Sequence, residues 1–194
     1  MRYKTIYEQT EEFVSILKQN KDLMTILDYI YELNLPNFYI AAGSVFQTIW
    51  NYYDNKPLNF GIKDIDIIYY DSNNLSKEVE KELEDKIIEH FKELNYKFDI
   101  HNEARMHLWK ENKNKNINEY KNSEDAIDQW IATVHSIGIT KEIDNIKVYA
   151  PYGLSDIFSR TIRPIKHKAN SKELYDKKVA SWQKRFEKLN IIEW

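Results

Sequence analysis

Two aspartates, Asp64 and Asp66, stand two positions apart in the run KDIDIIYYD. Aspartate is disfavoured in strands, because its short side chain competes for backbone hydrogen bonds and resists burial. Yet Ile65, Ile67 and Tyr69 alternate here with Asp64, Asp66 and Ile68, the pattern of a strand with two different faces. Residues i and i+2 share a face, so the two carboxylates lie roughly 6.5–7 Å apart along it. Unscreened, they repel and raise each other's proton affinity. A divalent cation reverses that penalty. Mg²⁺ (or Mn²⁺) takes oxygen ligands and is commonly held by one or two carboxylates together with substrate phosphates. The alternative is a strand end at the solvent with both acids hydrated.

A second feature precedes them. FYIAA, residues 38–42, is a short apolar run stopped by Gly43-Ser44, and Val45, Ile49 and Tyr52 then return to helical spacing. A strand running through a small-residue turn into a helix presents free backbone N–H groups and a hydroxyl to an anion such as phosphate. An ordinary capping serine after a glycine turn gives the same pattern. Arg105 and His107 could neutralise a phosphate or move a proton. Their bland reading is a salt bridge to Glu103 or Glu111 and an imidazole bonded to a backbone carbonyl. His135 reads as a partner for a helix C-terminus, and Asp156 as a helix-start residue. Zinc is not expected, since five scattered histidines without cysteine form no ligand cluster.

Positioning these groups requires a mixed α/β fold. An opening helix is expected from Thr10, and a second carries Leu23, Ile26, Leu27, Ile30 and Leu33 before Pro36 ends it. After the 64–69 strand, Ser76 caps a helix whose Val79, Leu83, Ile87 and Phe91 recur every four residues. YKFDIHN, from Tyr96, reads as a third strand, followed by a helical segment over 104–109. The stretch 110–122, with Lys110, Lys113, Lys115 and Lys121 among asparagines, reads as a mobile loop. Beyond it are expected a helix over 123–135, a hairpin through 137–140 and 146–149, and helices over 154–162 and 171–189. The expected architecture is α/β (α+β), a mixed sheet flanked by helices with a more helical second half. It divides into a core over residues 1–110 and an extension over 111–194 packed on it as one unit.

Strand, Gly-Ser, helix, and then a strand bearing Asp-Ile-Asp resemble the signature of the DNA polymerase beta-like nucleotidyltransferase superfamily. The segments AAGSVFQTIWN, DIDIIYYD, DIHNEARMHLW and YAPYGLSDIFSRTIRP, with SEDAIDQWIATVHSIGI, extend the likeness over nearly the whole chain. They are similar to a bacterial family of uncharacterised nucleotidyltransferase-like proteins. The resemblance implies that Gly43 and Ser44 meet the triphosphate of a nucleotide and that Asp64 and Asp66 bind metal. A third carboxylate is implied on the next core strand. Asp99 is chosen for it, with Glu103 as the alternative at a position where the family leads one to expect an amide. Asn102, Arg105, His107 and Trp109 are implied as parts of the pocket, and the interval 55–61 as an insertion beside the site. In a two-metal arrangement the ions sit about 3.5–4 Å apart. The implied reaction is Mg-dependent transfer of a nucleotidyl group, AMP being the expected one, from an NTP, expected to be ATP, with release of pyrophosphate. The acceptor is left open among a protein, an RNA and a small molecule. The alternative reading is an inactive nucleotide-binding or antitoxin-like interaction module, and a third is a nuclease or phosphohydrolase.

Composition sets outer limits. The net charge of −3, from intermixed lysines and acids, gives no overall signal for nucleic acid or membrane. A second basic stretch, Arg160, Arg163, Lys166, His167 and Lys168, follows a turn and could face a phosphate. With no cysteine the chain can form no disulfide or thiolate zinc site, which fits a reducing compartment. Without an apolar leader or an apolar run of about 20 residues, the expected place is the cytoplasm.

Overall fold

The computed structural model describes residues 5–109, 112, 115 and 117–194. The first helix, α1 (Ile6–Leu17), starts well before its Thr10 signal. Thr5 and Glu8 form a reciprocal capping box there, so the cap outweighs the acidic pair downstream. Asn20 caps α2 (Lys21–Glu32), whose Leu23, Ile26, Leu27 and Ile30 are buried as their spacing predicts. β1 (Tyr39–Ala41) leads directly into α3 (Gly43–Tyr53). β2 (Asp64–Tyr69), α4 (Lys77–His90) and β3 (Lys97–Asn102) follow. A 3₁₀ helix spans Glu103–Leu108, where a helical segment is expected. Of the Lys/Asn stretch, residues 110, 111, 113, 114 and 116 lie outside the described residues. In the remainder Ile117 and Tyr120 are buried against Ala126, and Tyr70 Oη donates to Tyr120 O, so that part is anchored rather than a mobile loop.

The second half adds α5 (Ser123–Ile127), β4 (Gly138–Lys141), β5 (Ile146–Tyr149), α6 (Ser155–Phe158), β6 (Thr161–Ile162), α7 (Lys172–Gln183) and β7 (Asn190–Ile191). The 137–149 hairpin is present as expected. The helix expected to reach residue 135 ends at Ile127 and gives way to turns, in one of which the Ser136 N–H donates to Ala132 O. The expected 154–162 helix is a single turn, α6. Arg160 at φ 55° breaks it, and Thr161–Ile162 pair with β7 instead.

One sheet of five strands, in the order β3-β2-β1-β4-β5, runs through both halves of the chain. β2 and β3 are parallel, while β1 is antiparallel to both β2 and β4. Ile40, Ile65, Ile67, Phe98, Ile100 and Ile139 face a large core shared with α1, α2, α3, α4 and α7. Tyr39, Ala41 and Ile68 on the opposite face pack with Ile127. The alternation read from the sequence therefore assigns Asp64 and Asp66 to the face with the lighter cover.

An aromatic ladder attaches α7 to α3. Trp50 is 0% exposed, and its Nε1 donates to Ile157 O at 2.8 Å. Edge-to-face contacts join Phe46 to Trp50, Phe46 to Trp182 and Trp50 to Phe186 at 4.8, 5.5 and 5.0 Å between ring centres. Such pairs each add about 0.5–1.5 kcal/mol beyond burial. They set the rotation of α7, so that Lys178 and Ser181, on one flank of the Tyr175, Val179 and Trp182 stripe, look out with Trp182 over the N-terminus of α3. Among the described residues no helix is long and apolar enough to cross a membrane.

Candidate active site

Parallel pairing places Asp66 beside Asp99, and Asp64 beside Lys97, on neighbouring strands. On its other side Asp66 is paired with Ala41, and Ala41 in turn with Gly138. Two small residues thus keep the sheet surface beside Asp66 low. Asp64 is exposed, whereas Asp66 and Asp99 are partly buried. Burial raises the Asp66 pKa to about 6, Asp99 and Asp64 push the same way, and Lys178 and Lys97 oppose them. Asp99 is held by Lys97, Nζ to Oδ1 2.6 Å. Among the described residues no group of three or more acidic or imidazole side chains is already gathered to hold a metal ion.

A cleft of about 450 Å³ opens beside this strand pair. Gly43, Gln47, Asp64, Asp66 and His135 line one part of it, and Lys63, Lys178, Ser181, Trp182, Lys184 and Arg185 the rest. Carboxylates and cations therefore share one concavity. A larger hollow of about 620 Å³ lies between α1 and the start of β5, but among its lining residues only Glu11 and Lys18 carry charge.

The turn into α3 is strained. Ala42 has φ 55° and ψ −123°, a region open to glycine and costly for a residue with a Cβ. Its N–H is anchored to Ile137 O at 2.9 Å. The first-turn N–H groups of Gly43 and Ser44 stand outside the helical ladder, as at any helix start. Strain of this kind costs about 1–3 kcal/mol, while an added glycine costs about 0.5–1 kcal/mol through the unfolded chain. Ala42→Gly is accordingly expected to leave the thermal midpoint unchanged or raise it. A drop of several degrees would show the turn to be relaxed.

The structure brings Gly43, Asp64 and Asp66 to the cleft, sets Asp99 beside Asp66 on β3 outside the cleft lining, and leaves other expected residues elsewhere. Ser44 is 1% exposed, and its hydroxyl donates to Ala41 O at 3.2 Å, so this turn meets the cleft through Gly43 and the backbone. Asn102 and Arg105 do not line the cleft. Asn102 sits at the far end of β3, where its side chain bonds Asp71 O, Asn74 O, and the N–H groups of Asp71 and Ala104. Arg105 is enclosed with Glu80 and donates to Leu75 O. Both are spent on bracing the β2–α4 connection. Trp109 meets His101 edge-on at 5.1 Å. Glu103 is 3% exposed, and burial, with Glu80 and Asp66 nearby, raises its pKa to about 8.

Arg160 and Arg163 pair with Asp54 and Asp156 rather than facing the cleft. Asp156, in the first turn of α6, also accepts from Thr133 Oγ1. His135 is not at a helix end: it lines the cleft, and burial holds its imidazole neutral, with Lys178 adding to the effect. The cations on α7 and just beyond its end were missed by sequence reasoning, although a signal existed. Lys178 and Arg185 are about two helical turns apart, on one flank of the buried Tyr175, Val179 and Trp182 stripe.

A family model described as nucleotidyltransferase matches residues 28–191, spanning both the carboxylate strands and α7. A solved structure described as revealing a CCA-adding enzyme head domain superposes with a TM-score of 0.80 at 28% identity, covering 95% of this chain and 96% of that one. A structure of a tRNA-processing enzyme complex aligns at a TM-score of 0.40 and 15% identity, over 72% of this chain and 35% of that one, too distant to carry an argument. No curated protein matches the chain. With the mixed five-stranded sheet of this fold and a family match over most of its length, the chain belongs to the nucleotidyltransferase family of transferase enzymes.

Proposed function

We propose that the protein transfers a nucleotidyl group, AMP in the first instance, from an NTP to an acceptor hydroxyl. The observation that carries this reading is the shared cleft: Asp64 and Asp66 stand against Lys178 and Arg185 beside the open N-terminus of α3. The neighbouring structure's description as a CCA-adding enzyme head domain supports nucleotide addition as the activity to test first.

The acids fit a divalent ion. Asp66 carries an elevated proton affinity that an ion would remove, and Asp99 needs only to let go of Lys97. Mg²⁺ or Mn²⁺ held by Asp64, Asp66 and Asp99 would supply positive charge that acidifies the acceptor hydroxyl and offsets phosphate charge. The protein's own groups do the rest. Gly43 and Ser44 N–H groups and Lys178 meet the phosphates as the bond between the α-phosphorus and the leaving pyrophosphate breaks. The acceptor oxygen forms the new bond to that phosphorus, and its proton passes to Asp99 or a water beside it.

Calorimetric titration with ATP and Mg²⁺ tests the site. Binding is expected for the native chain and is expected to be lost in Asp64→Ala; metal-independent binding that survives the substitution would sink the assignment. The grip of Lys97 on Asp99 favours a second reading, nucleotide binding without transfer. Labelled ATP incubated with cell lysate separates the two. A labelled protein, RNA or small molecule that disappears with Asp66→Asn supports transfer.

A further inference from the structure

Buried and half-buried arginines are ordinarily paired with carboxylates, because an uncompensated charge is costly away from water. Arg105 and Arg160 follow the rule with Glu80 and Asp54. Arg185 breaks it. Although only partly exposed, it has no ion pair among the described residues, and its Nη1 donates to two neutral oxygens, Gln47 Oε1 at 2.6 Å and Gly61 O at 2.5 Å. Two glycines clear the space for this arrangement. A Cβ on Gly61, itself at φ +68°, would stand 3.0 Å from Arg185 Cδ, and a Cβ on Gly43 would stand 2.7 Å from Gln47 Nε2. The guanidinium is thus held in place by neutral oxygens and lies over the Phe186 ring, 5.7 Å from Cζ to the ring centre, with no carboxylate in direct contact and Asp64 acting on it only at longer range.

The cleft has an order along its length. Lys178 acts electrostatically on Asp66 and His135, while Arg185 feels Asp64, the more exposed carboxylate. If the reacting phosphorus lies beside Asp66 and Asp99, the outer phosphates lie toward Asp64 and Arg185.

We propose that Arg185 reads the terminal phosphate of a nucleoside triphosphate, and that Gln47 is the positioning residue that aims it. This rests on the nucleotide reading above. A planar guanidinium fixed at one edge keeps its other donors for a phosphate oxygen pair, so the site distinguishes a triphosphate from a diphosphate.

The test is calorimetric titration of the full chain with ATP, ADP and AMP in Mg²⁺. The native protein is expected to bind ATP more tightly than ADP by on the order of 10- to 100-fold, the range of a hydrogen-bonded charge contact. Arg185→Gln should bring ATP down to the ADP level while leaving ADP within about twofold. Gln47→Glu guards against a folding artefact, since it hands Arg185 the carboxylate it lacks. It should raise the thermal midpoint and abolish the preference for ATP, opposite signs that a merely structural residue would not give. A preference for ATP that persists in both folded variants overturns the proposal and leaves the nucleotide reading standing. Failure of the native chain to bind any of the three overturns both.

Discussion

Asp66→Asn is expected to lower pyrophosphate release by on the order of 10²–10³-fold or more, while leaving the circular dichroism spectrum unchanged. Asparagine keeps the volume and removes one charge from the least exposed place in the carboxylate group. Stability should move the other way. Without metal, the folded-state pKa of about 6 lies above the ordinary aspartate value of 3.8. The folded chain then binds more protons than the unfolded one over that interval, and stability falls as pH rises from about 4 to about 6. At pH 7 in a chelator the asparagine variant is therefore expected to be more stable by about 1–3 kcal/mol. Adding Mg²⁺ should raise the melting temperature of the native chain and not that of the variant. Undiminished pyrophosphate release from Asp66→Asn, once an acceptor is in hand, would remove these acids from the chemistry.

Glu103→Gln should stabilise the protein most at high pH. Glu103 is almost wholly enclosed, and burial, reinforced by Glu80 and Asp66, lifts its pKa to about 8 from 4.5. Because the folded value is the higher one, the native chain retains a proton that the unfolded chain releases. Stability due to this group is intact below about pH 4.5 and drains away up to about pH 8. A glutamine in its place would mimic the protonated acid at every pH. The gain is expected to be on the order of 2–4 kcal/mol at pH 8 and to vanish near pH 4, read from denaturant unfolding at the two pH values. An equal effect at both would place the carboxyl in contact with water. An amide is also what the family resemblance leads one to expect at this position, so the substitution is compatible with the fold.

The strand carrying Asp64 and Asp66 was legible because a period of two is written in neighbouring residues. Asp99 was chosen because the family resemblance implies a third carboxylate on the next core strand, and β3 pairs beside β2 as that choice needs. Other features depend on contacts that a linear pattern does not display. Ile127, Trp130, Ile131 and Val134 keep a helical spacing past Ile127, yet the chain turns there, and Thr133 and Ile165 N–H groups bond Arg163 O and Ile131 O instead. Arg105 looks like a phosphate ligand until Glu80, 25 residues upstream, is found beside it. The cationic wall of the cleft was the largest omission. Lys178 and Arg185 acquire meaning only from the packing of Phe46 against Trp182, which the sequence separates widely.

That packing makes the cleft a composite of distant chain segments, the acids at 64–66 and the cations at 178–185. Such contacts close late, since the entropy of a long loop must be lost before they form. During synthesis the acidic half of the site emerges first and has no counterpart for its nucleotide. Only when the α7 segment has cleared the ribosome and docked on α3 is the cleft complete. On the proposed reading, a chain cut before α7 would keep its carboxylates and lose triphosphate binding, so that binding would report the docking of α7 on α3.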